Sequence, residues 1–188
     1  RQPSTNTPYD LWMVLLKNAK PVDLEKMGVL AALLTDEVQR RVGGNISSTL
    51  ATEVKRFDVH AALQIYVTGS TERSATVRMT TATVLDELRT HVFSGEVFRN
   101  ARDRYVNNHL VELGRPTQYA AWLAEQIAHG SGWSGSRARS KWRAVADGVT
   151  SNDVLSLAKT LLEDPANVFR VAHAHSGPKD SHTGDETK

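Results

Sequence analysis

The sequence predicts an α+β domain, in which helices pack on one face of a mainly antiparallel sheet. Two observations indicate that fold class. The elements predicted from hydrophobic periodicity follow one another in the order β-α-β-β-α-α-α-α-α-β. Two strands lie close together early in the chain, as in a hairpin, and a single strand closes the domain after five further helices. These features together predict one sheet covered by a layer of helices.

The first two elements are a strand and a long helix. Leu11–Leu16 is a short apolar run between polar residues, which is typical of a strand buried on both faces. Pro21, followed by Asp23 and Glu25, favours a helix start, and the glycine pair beginning at Gly43 suits its end. Apolar residues recur every three or four positions between these limits, at Leu24, Met27, Leu30, Leu34 and Val38.

A hairpin and a second long helix come next. The segments Ile46–Val54 and Val59–Val67 are predicted as antiparallel strands, because a four-residue connection separates them and the second segment alternates apolar and polar side chains. Ser70 or Thr71 can cap a helix that ends near Ser94. The predicted core face of this helix consists of Ala75, Met79, Ala82, Leu85, Leu88 and Val92.

Helices dominate the rest of the chain. Glycine, proline and capping residues separate four further helices, and Pro165 precedes a closing strand. We expect helices ending at Leu113, running from Thr117 to His129, ending near Asp147 and spanning Val154–Leu162, then a strand over Val168–Ala172. Gly130–Gly135 is predicted to be a flexible turn.

Length and composition indicate a single domain. The chain has 188 residues and 40% hydrophobic content, enough for one core. We expect a polar lead over residues 1–9, the domain over residues 10–175 and a flexible polar tail over residues 176–188.

Charge and cysteine content exclude several classes of protein. The formal net charge of +2 is too small to imply wrapping of nucleic acid or capture by anionic lipid. There is no cysteine, so a disulfide framework is excluded and any zinc site would use histidine and carboxylate ligands. No apolar run approaches the roughly 20 residues that cross a bilayer, so we expect no membrane partner and a cytoplasmic location.

Two groups of residues are weak candidates for binding. His173 and His175 share one face of the predicted closing strand and could bind a metal together, although a solvent-facing edge with two ordinary histidines is the simpler interpretation. The predicted helix over 137–143 carries four cations around Trp142, which allows an interaction or nucleic-acid surface. A solvated helix with Trp142 in the core is the alternative for this segment. Its four cations are Arg137, Arg139, Lys141 and Arg143.

Three segments resemble the second repeat of M16 (insulinase, pitrilysin and processing-peptidase type) zinc peptidases. Leu33–Gly44 is similar to the family's leucine-rich helix end with its arginines and glycine. Leu63–Glu72 resembles the strand that leads into the long helix of the repeat. The closing helix and the Pro165-Ala166-Asn167 entry to the last strand resemble the end of the repeat. The likeness spans roughly residues 10–172, and it implies a single M16-like α+β repeat over residues 10–175.

The resemblance implies a non-catalytic subunit or C-terminal domain. The family's zinc motif is His-x-x-Glu-His on a helix, and this chain lacks it. The nearest string, His109–Leu113, has no second histidine, so we expect no catalytic residue and no cofactor in this chain. Zinc is then expected in a partner repeat, and the two repeats together enclose and process a peptide.

The resemblance also points to residues that would face the peptide, within residues 36–47. Alignment on Gly43 places Gln39 and Ile46 where active pairs carry an arginine and a tyrosine. A shift of one position makes Arg40 the arginine, with Arg41 beside it, but no tyrosine follows until Tyr66. A scaffold or docking role is therefore expected to outweigh assistance to catalysis. Independently of the resemblance, a stand-alone interaction or nucleic-acid-binding domain using the helix at 137–143 remains the alternative.

Overall fold

The computed structural model describes residues 8–69, 71–90, 93–129 and 137–173. Within those ranges the elements follow the predicted order, and a short 3-10 turn at Pro165–Asn167 precedes the last strand. The elements are β1 (Tyr9–Leu16), α1 (Pro21–Val42), β2 (Leu50–Phe57), β3 (His60–Thr68), α2 (Glu72–Glu87), α3 (Gly95–Leu113), α4 (Pro116–Ala128), α5 (Ala138–Asp147), α6 (Ser151–Glu163) and β4 (Val168–His173). The polar tail over residues 176–188 and nearly all of the polar lead lie outside the described ranges, so both remain predictions.

The strands form one antiparallel sheet in the order β2-β3-β1-β4. β1 lies in the interior, where Val14 is opposite Leu63 of β3 and Val168 of β4. A two-residue turn joins β2 and β3, and Asp58 in that turn has a positive φ of 54°, which aspartate tolerates better than most residues. The predicted α+β class with a mainly antiparallel sheet is confirmed.

The helices cover one face of the sheet, and α1 is the centre of the helical layer. It packs against α2, α3, α5 and α6 and against β2 and β3. Its apolar positions are buried because they face either the sheet or the neighbouring helices. The largest buried side chains of the main core include Met27, Leu33, Leu34, Ile46, Leu63, Ile65, Leu88 and Leu161.

The predicted core face of α2 is right at Leu85 and Leu88, which are buried, and wrong at Met79 and Ala82, which are exposed; Val92 lies outside the described residues. Met79 was expected in the core, but 72% of it is exposed, whereas Val77 and Val84 are buried. The buried stripe includes Thr81, whose hydroxyl donates to the Val77 carbonyl at 2.7 Å and so loses no hydrogen bond on burial. Met79 and Val77 both fit a helical pattern, and packing against the neighbouring elements selects the stripe that contains Val77. The helix also ends at Glu87 rather than near Ser94.

Strand β2 starts four residues later than predicted. The sequence predicts that Ile46 begins the strand, but Ile46 lies at the start of a turn. Its backbone carbonyl accepts hydrogen bonds from the N–H groups of Thr49 and Leu50, both at 2.8 Å. The apolar side chain of Ile46 is fully buried in the main core. Hydrophobicity therefore placed this residue inside the protein correctly, but in the wrong element.

An ion cluster around the buried Asp10 joins β1, α2 and β4. Asp10 is 4% exposed, and its carboxylate pairs with Arg78 of α2 and with Arg170 of β4, the latter at 2.9 Å. The Arg170 guanidinium also lies 5.0 Å from the centre of the Trp12 ring. The edge strand β4 is thus held by charged contacts as well as by its ladder to β1.

Candidate functional site

An open cleft of about 580 Å³ lies between α1, β2 and α3. Small residues of α1 form one side, the middle of β2 forms the second, and polar side chains of α3 form the third. β2 is an edge strand of the sheet, so the backbone that borders the cleft pairs with β3 on one side only. The lining residues are Gly28, Ala31, Ala32, Thr35, Thr52, Glu53, Val54, Arg104, Tyr105, Asn108, His109 and Glu112.

Gly28 allows the ring of Tyr105 to reach the surface of α1. A Cβ atom at position 28 would lie 2.4 Å from two ring carbons of Tyr105 and 2.7 Å from its hydroxyl oxygen. That separation is far below van der Waals contact, so a larger residue would displace the ring. The glycine inside a long helix therefore has a packing reason, which offsets its low helix propensity.

Glu25 lies buried behind this wall, at the point where α1, α3 and α5 meet. Its Oε2 atom accepts a hydrogen bond from the Tyr105 hydroxyl at 2.8 Å and another from the Trp142 indole N–H at 2.7 Å. The residue is 4% exposed. Burial raises the pKa of Glu25 to about 7, against the opposing effect of the two hydrogen bonds. The same burial, with the nearby Glu25 charge, raises the pKa of Tyr105 well above its usual value.

His109 lies one turn further along α3 and completes an aromatic cluster. Its ring centre is 4.4 Å from that of Trp142, and its Nδ1 atom is 3.8 Å from a carboxylate oxygen of Glu112. Burial lowers the pKa of His109, and Glu112 opposes that shift only in part. The neutral ring is therefore the favoured form near pH 7.

The other polar groups of the cleft are largely satisfied within the fold. Arg104 pairs with Asp36 and donates to the Ala32 carbonyl at 2.8 Å. Burial raises the pKa of Asp36, and the Arg104 charge opposes that rise. The hydroxyls of Thr35 and Thr52 are 3.3 Å apart and link α1 to β2. Such a surface can bind a ligand through hydrogen bonds and shape, with the open β2 backbone adding donors and acceptors.

The four residues predicted to face a peptide lie around the end of α1 in different environments. Gln39 is exposed, and its carbonyl accepts the Gly43 N–H at 2.9 Å. The side chain of Arg40 is 66% exposed, whereas that of Arg41 is 27% exposed. Ile46 is buried, so only a rearranged turn would bring its side chain to a ligand. Contact of these residues with a peptide stays a prediction.

Glu37 organises the two arginines. Its carboxylate accepts bonds from Arg40 Nε at 2.9 Å and Nη2 at 2.6 Å, and from Arg41 Nε at 2.7 Å. These hydrogen bonds, with Arg40 the largest cause, lower the pKa of Glu37 to about 2. Arg41 also reaches Glu87 on α2 with Nη1 at 3.1 Å. Arg41 thus joins two helices, and Arg40 keeps one edge of its guanidinium towards solvent.

The glycine turn after α1 is fixed by Arg73 at the start of α2. Gly43 and Gly44 have φ of 75° and 63°, which glycine adopts without strain. The guanidinium of Arg73 donates to the carbonyls of Gly43 at 2.9 Å and Asn45 at 3.2 Å. The segment predicted to lie nearest a peptide chamber is therefore anchored to a second helix.

The structure brings together no metal site in the part of the chain that it describes. No group of three or more histidine, cysteine, aspartate or glutamate side chains there could hold an ion. His173 ends β4 opposite Tyr9, and His175 lies outside the described residues. The weak metal candidates His173 and His175 therefore remain predictions.

The basic helix α5 uses part of its charge internally. Trp142 is buried, which the sequence allowed as the alternative to a binding surface. Arg139 donates to the Leu113 carbonyl and lies 4.8 Å from the centre of the Tyr119 ring, and Arg143 pairs with Asp147 at 3.3 Å. The remaining cations of the predicted interaction surface, Arg137 and Lys141, are exposed.

None of the helices in the described ranges is long and apolar enough to cross a membrane.

Comparison with known proteins shows similarity of structure rather than of sequence. No family model and no curated protein matches the chain. A "putative zinc protease" from Bordetella pertussis is 19% identical, with a TM-score of 0.64 over 90% of this chain and 94% of that one. The inactive peptidase domain of a "putative zinc protease" from Bordetella parapertussis is 17% identical, with a TM-score of 0.66 over 96% and 98% of the two chains.

A third solved structure relates the chain to a longer protein. A "putative M16-like peptidase" from Alicyclobacillus acidocaldarius is 12% identical, with a TM-score of 0.64 over 90% of this chain but 41% of that one. The predicted fold is confirmed by these neighbours: the chain has the α+β fold of a single M16-like peptidase repeat. One of the neighbours with this fold is an inactive peptidase domain.

The sequence pattern missed the centre of the site. Glu25 was interpreted only as part of an acidic helix start, and Gly28 and Tyr105 were assigned no role there. Two signals could have found them. A glycine within an otherwise good helix needs a packing reason, and a core tryptophan such as Trp142 needs an acceptor for its N–H.

Proposed function

We propose that this chain is a non-catalytic M16-like peptidase repeat that pairs with a zinc-bearing M16-like repeat and helps to enclose a peptide or protein substrate. One observation carries the proposal. The chain matches an inactive peptidase domain over 96% of its length, and its described residues group no metal ligands. The sequence has no His-x-x-Glu-His motif, so in this proposal the zinc is supplied by the partner repeat.

The cleft beside β2 supports a role in holding the substrate. An extended peptide can add to an open strand edge through main-chain hydrogen bonds, which favours binding with little dependence on sequence. Thr35, Asn108 and Glu112 would then meet the peptide's side chains. At the end of α1, we expect the exposed Gln39 and Arg40 to contact the peptide and the less exposed Arg41 to contribute less.

The experiment is a reconstitution with the natural partner. The chain is isolated under mild conditions from the cell that makes it, and zinc content and cleavage of an unfolded peptide are compared between the co-purifying material and the chain alone. We expect a zinc-bearing M16-like partner, with chelator-sensitive cleavage that the chain lacks. A chain that purifies alone and inert would refute the proposal. Fractionation of the same cells tests the proposed cytoplasmic location.

A variant pair separates substrate contact from assembly. Arg40→Ala removes the more exposed arginine at the end of α1, and Arg89→Ala removes an exposed arginine that pairs with Asp86 at the end of α2. We expect Arg40→Ala to raise KM for the peptide with assembly intact, and Arg89→Ala to match the wild type. Equal KM values for the two variants would exclude Arg40 from substrate binding.

The alternative function, an interaction or nucleic-acid surface on α5, is favoured less. Arg139 and Arg143 already have partners within the chain, which leaves Arg137 and Lys141 to provide the charge. Two exposed cations give only a shallow salt dependence of binding to nucleic acid. Steeply salt-dependent binding of DNA or RNA, weakened by Arg137→Ala and Lys141→Ala, would reverse this preference.

A further inference from the structure

Three carboxylates are buried in the described part of the chain, and one of them has no cation beside it. Asp10 and Glu37 each pair with two arginines. Glu25 is equally buried, but its hydrogen-bond donors are the neutral groups of Tyr105 and Trp142. A buried carboxylate without a cation is costly when ionised, so Glu25 differs from the other two in its response to pH.

The charged groups on the elements around Glu25 are engaged elsewhere. On α1 the neighbouring Lys26 pairs with Asp153 of α6 at 3.5 Å. On α3, Arg104 pairs with Asp36 and His109 approaches Glu112. On α5, Arg139 binds the Leu113 carbonyl, Arg143 pairs with Asp147, and Lys141 is exposed. Within the described residues, therefore, no cation pairs with Glu25.

We propose that Glu25 is a proton-operated latch: its neutral carboxyl holds Tyr105 of α3 and Trp142 of α5 against α1, and loss of the proton loosens α5 and alters the cleft wall. The latch joins two features. Tyr105 lines the cleft, and Trp142 is the largest fully buried side chain of the described core. Both depend on a single carboxylate oxygen for their hydrogen bonds to α1.

The direction of the switch follows from burial. The ionised carboxyl would lie against Tyr105 and Trp142, and burial keeps His109, which packs against the Trp142 ring, in the neutral form. The ionised state is relieved if water enters between α1 and α5. The looser form returns the carboxyl to its ordinary pKa of 4.5, so the closed form loses stability as pH rises from 4.5 to about 7, and the looser form is most populated above that pH.

Regulation of peptide binding by this latch rests on the proposed function, because it assumes that the cleft holds the substrate. The latch itself requires only the isolated chain. A measurement on the chain alone therefore tests the latch without any assumption about a zinc-bearing partner.

The test is a pH titration of the Trp142 indole N–H resonance in the ¹⁵N-labelled chain from pH 5 to 9, with Trp142→Phe used for assignment. We expect a midpoint near pH 7. Between pH 6 and 8, amides of α5 should lose roughly tenfold in protection from hydrogen exchange, beyond the intrinsic effect of pH on exchange. Glu25→Gln should abolish both effects and keep α5 protected at pH 8.

Two control variants identify the titrating group. Glu112→Gln and His109→Asn alter the other ionisable groups of the cluster and should leave the midpoint in place. Persistence of the titration in Glu25→Gln, or its loss in His109→Asn, would overturn the latch. If Glu25→Gln does not fold, the ¹³C shift of the Glu25 carboxyl in the wild type decides, since a midpoint near the ordinary value of 4.5 refutes the proposal.

The outcomes distinguish the latch from the proposed function. A flat titration in a chain that still assembles with a zinc-bearing repeat overturns the latch alone. A titration with a midpoint near pH 7 in a chain that never finds such a partner supports the latch and removes the peptidase role. Where both hold, peptide affinity should fall above pH 7 in the wild type and stay constant in Glu25→Gln.

Discussion

At the scale of single residues, the wall of the cleft depends on Gly28 and on the buried Glu25, which together position Tyr105. Gly28 provides space for the Tyr105 ring, and Glu25 provides the acceptor for its hydroxyl. The two residues lie one helical turn apart on α1, so the same ring is positioned by both. Each can be changed separately, and the two changes should have different consequences.

Gly28→Ala should destabilise the protein. The added Cβ would overlap the Tyr105 ring at 2.4 Å, and displacing that ring also breaks its bond to Glu25. We expect a net loss of about 2 kcal/mol in the free energy of unfolding, measured by urea denaturation, after allowing for the better helix propensity of alanine. Gly95→Ala is the matched control, because a Cβ there meets only the end of a flexible arginine at 3.5 Å. Equal effects of the two changes would contradict the packing argument.

Glu25 should make the stability of the wild type fall as pH rises from 4.5 to 7. Its pKa is about 7 in the folded chain and near 4.5 in the unfolded chain, so the folded state retains a proton that the unfolded state has lost. Over that interval the free energy of unfolding should drop by on the order of 3 kcal/mol. Glu25→Gln should remove most of this slope in denaturation curves at pH 5 and 8. The control Glu112→Gln changes an exposed carboxylate and should keep the slope. A slope that Glu25→Gln leaves unchanged would show that Glu25 is not its cause.

At the scale of elements, the second half of α1 serves as a junction. Glu37 of α1 accepts hydrogen bonds from Arg40 and Arg41 of the same helix. Arg41 also donates to Glu87 of α2 and so connects the two helices. The glycine turn that follows is fixed to α2 by Arg73. The end of α1 is thus positioned by charged contacts with α2 in addition to apolar packing.

Glu37→Gln should weaken this junction. The pKa of Glu37 is about 2 in the folded chain, so its contribution is present above about pH 4.5 and is lost as pH falls towards 2. We expect a loss of about 1–2 kcal/mol at pH 7, reduced by solvent screening because Arg40 is largely exposed. Chemical denaturation at pH 7 and pH 3 gives the free energy of unfolding of the variant and the wild type. The difference between the two proteins should be smaller at pH 3. Asp86→Asn, in an exposed pair, should change stability by under about 0.5 kcal/mol, and a similar effect of both variants would argue against a special role for Glu37.

At the scale of the whole molecule, one apolar cluster connects the sheet and the helical layer of the described residues. The sheet and the helices around α1 bury a continuous apolar cluster, and the described residues contribute no group able to hold a metal ion. A structural metal stabilises a fold by the free energy of its binding, which chelation removes. This fold should therefore not respond to a chelator.

Treatment with EDTA should leave the thermal unfolding midpoint of the isolated chain unchanged. Added zinc should likewise produce no saturable rise in Tm, because the described chain lacks the three ligands of a firm site. Differential scanning calorimetry with and without EDTA and zinc measures this. His173→Ala is the relevant variant: a zinc-dependent rise in Tm that disappears in it would reveal a site at the end of β4.

Several features were accessible from the sequence because they depend on local chemistry. The order of the elements follows from periodicity and from turn residues. A cap at Ser70 or Thr71 is also predicted, and the structure shows that the Thr71 hydroxyl accepts the Ser74 N–H at 3.2 Å. The burial of Trp142 was also accessible, because it belongs to the apolar stripe of α5 formed with Ala138 and Ala146. The face of α2 was not accessible, because Met79 and Val77 fit a helical pattern equally well until the neighbouring elements choose between them.

The sequence by itself determined the fold class, the order of the elements and the lack of a His-x-x-Glu-His motif, because each of these is written in spacing along the chain. Only the tertiary structure decided the site. Glu25 and Trp142 are 117 positions apart, and their hydrogen bond exists because α1, α3 and α5 converge. Which acid is paired with arginine and which is left with neutral donors depends on packing between elements, and no local pattern encodes it.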